Sequence, residues 1–231
     1  MIQKLHFYIF LLFISLNGQF LFSQTYPLSP QSKISILTCG SGEELHSIFG
    51  HTGIRIQEPS RGIDVVYNFG MFDFSTPNFY LKFVKGDMQY YVANSSFEHF
   101  MYSYRMENRS VFEQELNLTT EQKQKLFDNL NQAVFSEGRF YTYKFIDKNC
   151  TTMVVDKIND ELGKPVIKKV GNIEESYRDV LNPYLANLFY EKLGINIIFG
   201  HRTDEKAEQL FLPIELLKSL EQLEVNKKPL A

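Results

Sequence analysis

Cysteine is scarce in this sequence, tryptophan is absent, and neither sign of charge dominates. Two cysteines are too few for a disulfide scaffold, so Cys39 and Cys150 either bond to each other or leave at least one thiol for chemistry. A formal net charge of −3 excludes the basic footprint of a nucleic-acid-binding protein. The carboxylates are scattered without the spacing of a metal site, so we expect neither a metal nor a cofactor.

Long apolar runs are also absent, except at the N-terminus. There, the positively charged Lys4 precedes an almost unbroken apolar run over residues 7–16. The run is shorter than the roughly 20 residues of a membrane span, and Ser23 offers a small residue for cleavage. Residues 1–23 are therefore predicted to be a signal peptide, with an uncleaved anchor as the alternative. We expect an exported protein without a transmembrane span after processing, located in the periplasm, with the cell surface and the medium as alternatives.

The rest of the chain has the length of one domain with its own core. Residues 24–33 are polar and contain proline, which predicts a flexible lead-in to a single domain over residues 34–231. Alternating apolar residues predict strands, and apolar residues at helical spacing predict helices. The predicted strands are residues 34–38, 51–57, 64–69, 88–93, 110–118 and 141–146. The predicted helices include residues 43–49, 76–84, 96–106, 151–162, 177–193 and 213–223.

One more helix is predicted from its start signal. Thr119 followed by Gln122 is the capping-box pattern, and Leu126, Leu130 and Val134 form an apolar stripe at helical spacing behind it. The stretch 200–206 is predicted to be a polar loop. Together these elements predict an α+β domain, with a small antiparallel sheet, surrounding helices and a helical C-terminal extension.

Cys150 lies where a predicted strand gives way to a predicted helix. A helix N-terminus lowers the pKa of a thiol through its dipole and free N–H groups, which favours the nucleophilic thiolate. The alternative is a small buried apolar side chain. A cysteine nucleophile needs a neighbouring imidazole, and His51 opens a strand directly after Gly50, where its ring can face a cleft. His46 is the second candidate for this imidazole.

Asn68 is the candidate for the third polar group, which would orient the imidazole through its other nitrogen. It lies on the strand that should pair with the His51 strand. The register is open at this stage, and a slip of one residue would turn Asn68 away and place Tyr67 or Phe69 opposite instead. The role of Cys39 is open as well: it is either a buried thiol at a strand end or the partner of Cys150 in a disulfide.

Motifs that carry a family resemblance run through the chain. They occupy residues 37–45, 47–56, 67–70, 72–74, 77–83, 109–111, 115–119, 149–152 and 211–213, and they include the segments Gly-His-Thr-Gly, Tyr-Asn-Phe-Gly and Asn-Cys-Thr-Thr. These stretches resemble the Lnb N-terminal periplasmic domain family, whose members are mainly exported proteins of Bacteroidetes-like bacteria. The resemblance covers nearly all of the predicted mature chain.

The order of these motifs, with the Gly-His strand first and the Asn-Cys helix later, is similar to circularly permuted papain-like enzymes. These include permuted NlpC-type hydrolases and relatives of lecithin:retinol acyltransferase. The resemblance implies a permuted papain-like fold with Cys150 as nucleophile, His51 as base and the third residue near Asn68. It implies an exported cysteine hydrolase or acyltransferase that acts on a cell-envelope amide or ester through a Cys150 thioester.

The compartment suggests the substrate. A peptidoglycan peptide or a lipid acyl group is the substrate class that we expect for an exported enzyme of this kind, an expectation that rests on analogy of fold. The alternative function is a non-catalytic periplasmic binding or assembly module on the same fold.

Overall fold

The computed structural model describes residues 27–225 and 228–231, without the side chain of Tyr80. The predicted signal peptide and the start of the predicted lead-in lie outside the described residues. The strands are β1 (Lys33–Cys39), β2 (His51–Glu58), β3 (Ile63–Met71), β4 (Gln89–Ser96), β5 (Val111–Glu115), β6 (Phe140–Thr142), β7 (Glu224–Val225) and β8 (Lys228–Pro229). The α-helices are α1 (Phe79–Lys85), α2 (Phe97–Met106), α3 (Thr120–Phe135), α4 (Cys150–Leu162), α5 (Tyr177–Leu181), α6 (Phe189–Phe199) and α7 (Pro213–Leu220).

Six strands form one antiparallel sheet in the order β5-β1-β2-β3-β4-β6. The four strands that follow one another along the chain, β1 to β4, are neighbours in the sheet, as is usual for consecutive antiparallel strands. The predicted α+β class, with an antiparallel sheet and surrounding helices, is confirmed.

Helices cover both faces of this sheet. Because side chains alternate along a strand, Ile54 faces a large core that α3 and α4 close, whereas Leu37 faces the opposite side and packs with Phe100 of α2. Helix α4 packs directly on β2 and β3. These are the two strands that carry the predicted histidine and asparagine, so the fold brings the start of α4 close to both.

The capping-box prediction for α3 is confirmed. The Gln122 backbone N–H donates to the Thr119 hydroxyl at 3.2 Å, and the Thr119 N–H donates to the Gln122 side-chain oxygen at 2.9 Å. The predicted stripe of Leu126, Leu130 and Val134 is buried against the core. Local sequence and packing agree here, which is why the start of this helix could be predicted from the sequence.

The predicted helix over residues 43–49 is wrong, because this segment forms turns. The Gly42 N–H donates to the Ser47 carbonyl at 2.9 Å, and the Ser47 hydroxyl donates to the Glu44 carbonyl at 2.9 Å. Such local side-chain bonds compete with helix formation, and so short a segment cannot offset the cost of helix nucleation.

The predicted helix over residues 177–193 is also wrong in its extent. Helix α5 ends at Leu181, a 3₁₀ turn follows over Asn182–Leu185, and α6 begins only at Phe189. Pro183 lies at the start of the 3₁₀ turn, where its missing N–H and its ring prevent an α-helix from continuing.

Several predicted boundaries shift. Strand β6 is shorter than predicted and ends at Thr142, β5 ends at Glu115, and α1 begins at Phe79. The predicted loop over residues 200–206 begins with a 3₁₀ helix, Gly200–Asp204. Among the described residues, no helix combines the length and the apolar character that crossing a bilayer requires.

Candidate active site

Cys150 is the first residue of α4, and its side chain is half-buried. Asn149 precedes it as the helix cap and accepts hydrogen bonds from the N–H groups of Thr151 and Thr152 at 2.9 and 3.0 Å. The Thr152 hydroxyl in turn accepts from the Asn149 N–H at 2.8 Å. This reciprocal cap fixes the helix start, so that the sulfur has a defined position at the positive end of the helix dipole.

Asn149 also ties the helix start to the chain around it. Its amide nitrogen donates to the carbonyls of Phe145 and Phe211 at 2.6 and 2.7 Å, and the residue is buried. Phe145 lies in the loop before the helix, whereas Phe211 belongs to the C-terminal segment. One side chain thus holds the cysteine loop, the helix and the C-terminal segment together.

Asn149→Ala is therefore expected to lower the free energy of unfolding by about 2–4 kcal/mol, because it removes the cap and leaves two buried carbonyls without a donor. Chemical denaturation of the variant and the wild type measures this change. Asn172→Ala is the matched control, since Asn172 is exposed and its side chain accepts one local backbone bond from Glu174. Equal losses in the two variants would contradict the role of Asn149.

His51 is the first residue of β2, and its position depends on Gly50. Gly50 has φ = 80°, and a Cβ there would lie 2.4 Å from the Cys39 carbonyl oxygen. Only glycine tolerates both the left-handed backbone and this close approach. The glycine therefore turns the chain into the strand and sets the half-buried His51 at the end of the sheet, beside Cys150.

The register of the hairpin decides the position of Asn68. Strands β2 and β3 pair with Gly53 opposite Asn68, which places Asn68 on the same side of the sheet as His51. The Asn68 side-chain oxygen lies 3.1 Å from His51 Nε2, and Asn68 is buried. With an Nε2–H donor to this oxygen, the other ring nitrogen, Nδ1, is the one left to face the sulfur.

The sulfur and the imidazole change each other's protonation. Burial raises the pKa of the Cys150 thiol, but the charge of His51, its hydrogen bond to the sulfur and the Thr52 N–H outweigh it, so the pKa lies below its ordinary value. Burial lowers the pKa of His51, but the charge and hydrogen bond of Cys150 raise it to a net value above the ordinary one. The lowered pKa of the thiol and the raised pKa of the imidazole both favour a thiolate–imidazolium pair.

Two threonines, which the sequence analysis did not single out, join β2 to α4 beside this pair. The hydroxyls of Thr52 and Thr151 are hydrogen-bonded at 3.0 Å, and both residues are fully buried. The Thr151 hydroxyl lies 3.9 Å from the sulfur of Cys150. Their adjacency to His51 and Cys150 in the sequence was a signal that could have found them.

Three tyrosines near Cys150 were also missed: Tyr90 and Tyr141 are buried, and Tyr143 is half-buried. Tyr90 and Tyr143 stack with ring centroids 4.1 Å apart, and Tyr141 is buried beside Gly70. Burial, with the nearby Cys150, raises the pKa of Tyr90 to about 12 and the pKa values of Tyr141 and Tyr143 above their ordinary value. Their hydroxyls are therefore protonated donors at neutral pH. Tyr141 and Tyr143 alternate along an extended segment, which was the available signal.

Cys39 is not bonded to Cys150, since both cysteines are free thiols. Cys39 is fully buried at the end of β1 and packs with Phe100 and Tyr104 of α2. Burial raises its pKa to about 12. Of the roles left open by the sequence, the structure therefore places Cys39 as a buried thiol at a strand end.

The other histidines of the described chain have different surroundings from His51. His46 packs edge-on against Phe72 and Phe74, with ring centroids 5.9 and 5.8 Å apart. His99 is exposed on α2, and His201 is exposed beside Glu205. Within the described residues, no group of three or more histidine, cysteine or acidic side chains is arranged to hold a metal ion.

With this geometry in place, comparison with known families gives one match. The Lnb N-terminal periplasmic domain matches residues 23–182. The chain belongs to this family. The match includes the whole six-stranded sheet and the positions of Cys150, His51 and Asn68, and the family is periplasmic, in agreement with the predicted export. No curated protein and no solved structure matches the chain.

Proposed function

We propose that this member of the family is an exported cell-envelope cysteine hydrolase or acyltransferase that acts on an amide or ester through a thioester on Cys150. One observation carries the proposal: a half-buried sulfur at a helix N-terminus next to an imidazole whose Nε2 lies 3.1 Å from the oxygen of a buried asparagine. The arrangement has the parts of a cysteine, histidine and orienting-amide triad. It supports Cys150 as nucleophile, His51 as base and Asn68 as the orienting residue.

The proposed reaction begins with attack of the Cys150 thiolate on the substrate carbonyl carbon, which forms a carbon–sulfur bond. The protonated His51 then delivers its proton to the leaving nitrogen or oxygen as the amide or ester bond breaks. Water or a second nucleophile, deprotonated by His51, attacks the resulting thioester and frees the thiolate. Water makes the protein a hydrolase, whereas another acceptor makes it an acyltransferase.

The transient oxyanion needs donors near the sulfur. The N–H of Cys150 at the start of α4 is one such group, because the first N–H groups of a helix have no partner within the helix. The hydroxyl of Tyr141 would be a second donor, since it lies beside Gly70 and burial keeps it protonated. Both groups lie near Gly70, since a Cβ on that glycine would be 3.9 Å from the Cys150 nitrogen and 3.9 Å from the Tyr141 hydroxyl oxygen. A substrate carbonyl oxygen at this point would accept hydrogen bonds from both donors.

The chain order supports a permuted papain-like fold as part of this proposal. The strand that carries His51 comes first, and the helix that begins at Cys150 packs on it from later in the chain. The periplasmic location of the family supports a cell-envelope substrate, either a peptidoglycan peptide or a lipid acyl group. The alternative, a non-catalytic binding or assembly module on the same fold, would be favoured by a Cys39–Cys150 disulfide, whereas the two sulfurs are free.

A pH profile of thiol alkylation tests the proposal on the wild-type protein. Cys150 is expected to react with iodoacetamide at mildly acidic pH, because its pKa is lowered and the thiolate is the reactive form. Reactivity falls only once the pH drops through that lowered pKa. Peptide mapping after labelling at several pH values measures the rate at each cysteine.

The same experiment contains its own control. Cys39 is fully buried with a pKa of about 12, so it should stay unlabelled in the folded protein at every pH of the series and react only after denaturation. If Cys150 instead followed the profile of an ordinary thiol, with reactivity rising only above pH ~8, the catalytic proposal would be wrong and the binding-module alternative would stand.

A further inference from the structure

The outer face of α6 is apolar and exposed. Within the described structure this helix has no buried side chain, although most of its residues are apolar. Phe189 and Ile197 are each 70% exposed, and Leu193 between them is 48% exposed. A spacing of four residues puts these three side chains on one face of the helix, and the 81% exposed ring of Tyr190 flanks them. Water therefore contacts a row of large apolar side chains.

Helix α1 extends this face. Leu81 and Val84 are each 54% exposed. A cavity of about 210 Å³ lies between the two helices, with Val84 of α1 and Ile198 of α6 in its wall. We call the exposed side chains of the two helices the α1–α6 surface: Leu81, Val84, Phe189, Tyr190, Leu193 and Ile197. Neighbouring exposed apolar side chains of this kind indicate a place where another molecule binds.

The domain holds α6 with this face outward. The ring of Phe199 stacks on Phe145 with centroids 5.0 Å apart, and Arg178 of α5 donates a hydrogen bond to Asn196. Both contacts lie at the C-terminal end of α6 and use its inner side. The apolar residues on the other side are thus presented by a fixed helix, which reduces the entropy lost when they bind.

Positive charge accompanies the apolar side chains. Lys82 and Lys85 lie on α1, which has no acidic residue, and Lys192 lies on α6 beside a single acid, Glu191. Within the described chain, none of these three lysines forms an ion pair. This local excess of positive charge stands out in a protein with a net charge of −3.

We propose that the α1–α6 surface docks on an anionic phospholipid bilayer. Long aliphatic and aromatic side chains would enter the boundary between headgroups and acyl chains, while the lysines reach the anionic headgroups. The exposed Tyr190 has the apolar ring and polar tip that suit this boundary. The charge favours this partner over a second copy that pairs through the same helices, because such a dimer would bring the lysines of both copies close to one another.

The docked orientation would also set the position of the candidate active site relative to the membrane. Tyr143 lines the cavity between α1 and α6, and its ring stacks on Tyr90 beside Cys150. The cavity, which leads towards Cys150 through these two rings, would therefore open on the side of the domain that faces the membrane. Docking itself does not depend on the proposed catalysis, and the two are tested separately.

Flotation with lipid vesicles tests the docking. The exported protein, recovered from the periplasm, is mixed with vesicles of phosphatidylglycerol and phosphatidylethanolamine, or of phosphatidylcholine alone. The wild type should float with the anionic vesicles, bind the neutral ones more weakly, and lose the difference at high salt. Phe189→Gln combined with Ile197→Gln should weaken binding by about tenfold or more, since two apolar anchors are lost. Lys82→Gln combined with Lys85→Gln should reduce only the preference for anionic vesicles.

Met106→Gln combined with Phe135→Gln is the matched control, because these side chains are 69% and 80% exposed on α2 and α3. This variant should float like the wild type, and every variant shares the same N-terminal residues. Thermal unfolding and alkylation of Cys150 confirm that each variant is folded. The proposal is overturned if the wild type does not float, or if the α6 variant and the control behave alike. It is also overturned if the α6 variant abolishes self-association in sedimentation without vesicles, which would make a second copy the partner.

Discussion

Cys150→Ser is expected to lower the rate of covalent acylation by p-nitrophenyl acetate by about 10³-fold or more, to the level of background. A serine hydroxyl stays protonated next to His51, whereas the lowered pKa of Cys150 makes its thiolate available near neutral pH. Serine is close in size to cysteine, so the cap and the helix start should be kept. Intact-protein mass spectrometry measures the acyl adduct, and peptide mapping assigns it to a residue.

Cys39→Ser is the matched control for this experiment. Cys39 is the only other cysteine of the chain, and it is fully buried in contact with Phe100 and Tyr104 of α2. Its replacement should leave the adduct on Cys150, and a neutral hydroxylamine wash should remove that adduct as expected for a thioester. An adduct that persists at the wild-type rate in the Cys150 variant would show that the nucleophile lies elsewhere.

His51→Ala is expected to slow alkylation of Cys150 at pH ~6 by at least about tenfold. Burial is the largest influence on the thiol and raises its pKa, and the charge and hydrogen bond of His51 are what reverse it. Without the imidazole, burial remains, so the pKa should rise above its ordinary value. The expected sign is therefore a loss of reactivity at acidic pH that is regained only in alkaline solution.

His46→Ala serves as the comparison, because His46 packs against Phe72 and Phe74 instead of the sulfur. That variant should keep the wild-type pH profile. Asn68→Ala should give an alkylation rate at acidic pH between those of the His51 and His46 variants, since it frees the ring of His51 without removing its charge. A His51 variant with an unchanged profile would mean that the imidazole does not ionise the sulfur, and the mechanism proposed above would fail.

Strands of the sheet were predictable because polar and apolar side chains alternate along them, although both faces of the sheet are covered. Ile54 and Ile56 alternate with Arg55 along β2, and this period of two indicated a strand before any contact was known. The start of α3 at Thr119 was equally visible, since a capping box is a local signal. The break at Pro183 was missed, although the proline was a local signal for it.

The candidate site was predictable in part. Cys150 and His51 were found from their local settings, a helix start and a strand that follows a glycine. Asn68 was proposed with its register open, and the pairing of Gly53 with Asn68 placed it next to the ring. The roles of the three residues in catalysis stay predictions until the experiments above are done.

The sequence by itself determined which residues could carry chemistry, because helix capping and strand alternation are local patterns and the number of cysteines is a matter of composition. Only the tertiary structure decided that the imidazole and the sulfur meet, that Cys39 forms no disulfide with Cys150, and that Tyr90, Tyr141 and Tyr143 lie near Cys150. It also decided that the apolar α6 faces water, since nothing in the described chain packs over its outer face. The physical reason is that these facts depend on contacts between residues far apart in the chain, which packing of α4 against β2 and β3 creates and no local pattern encodes.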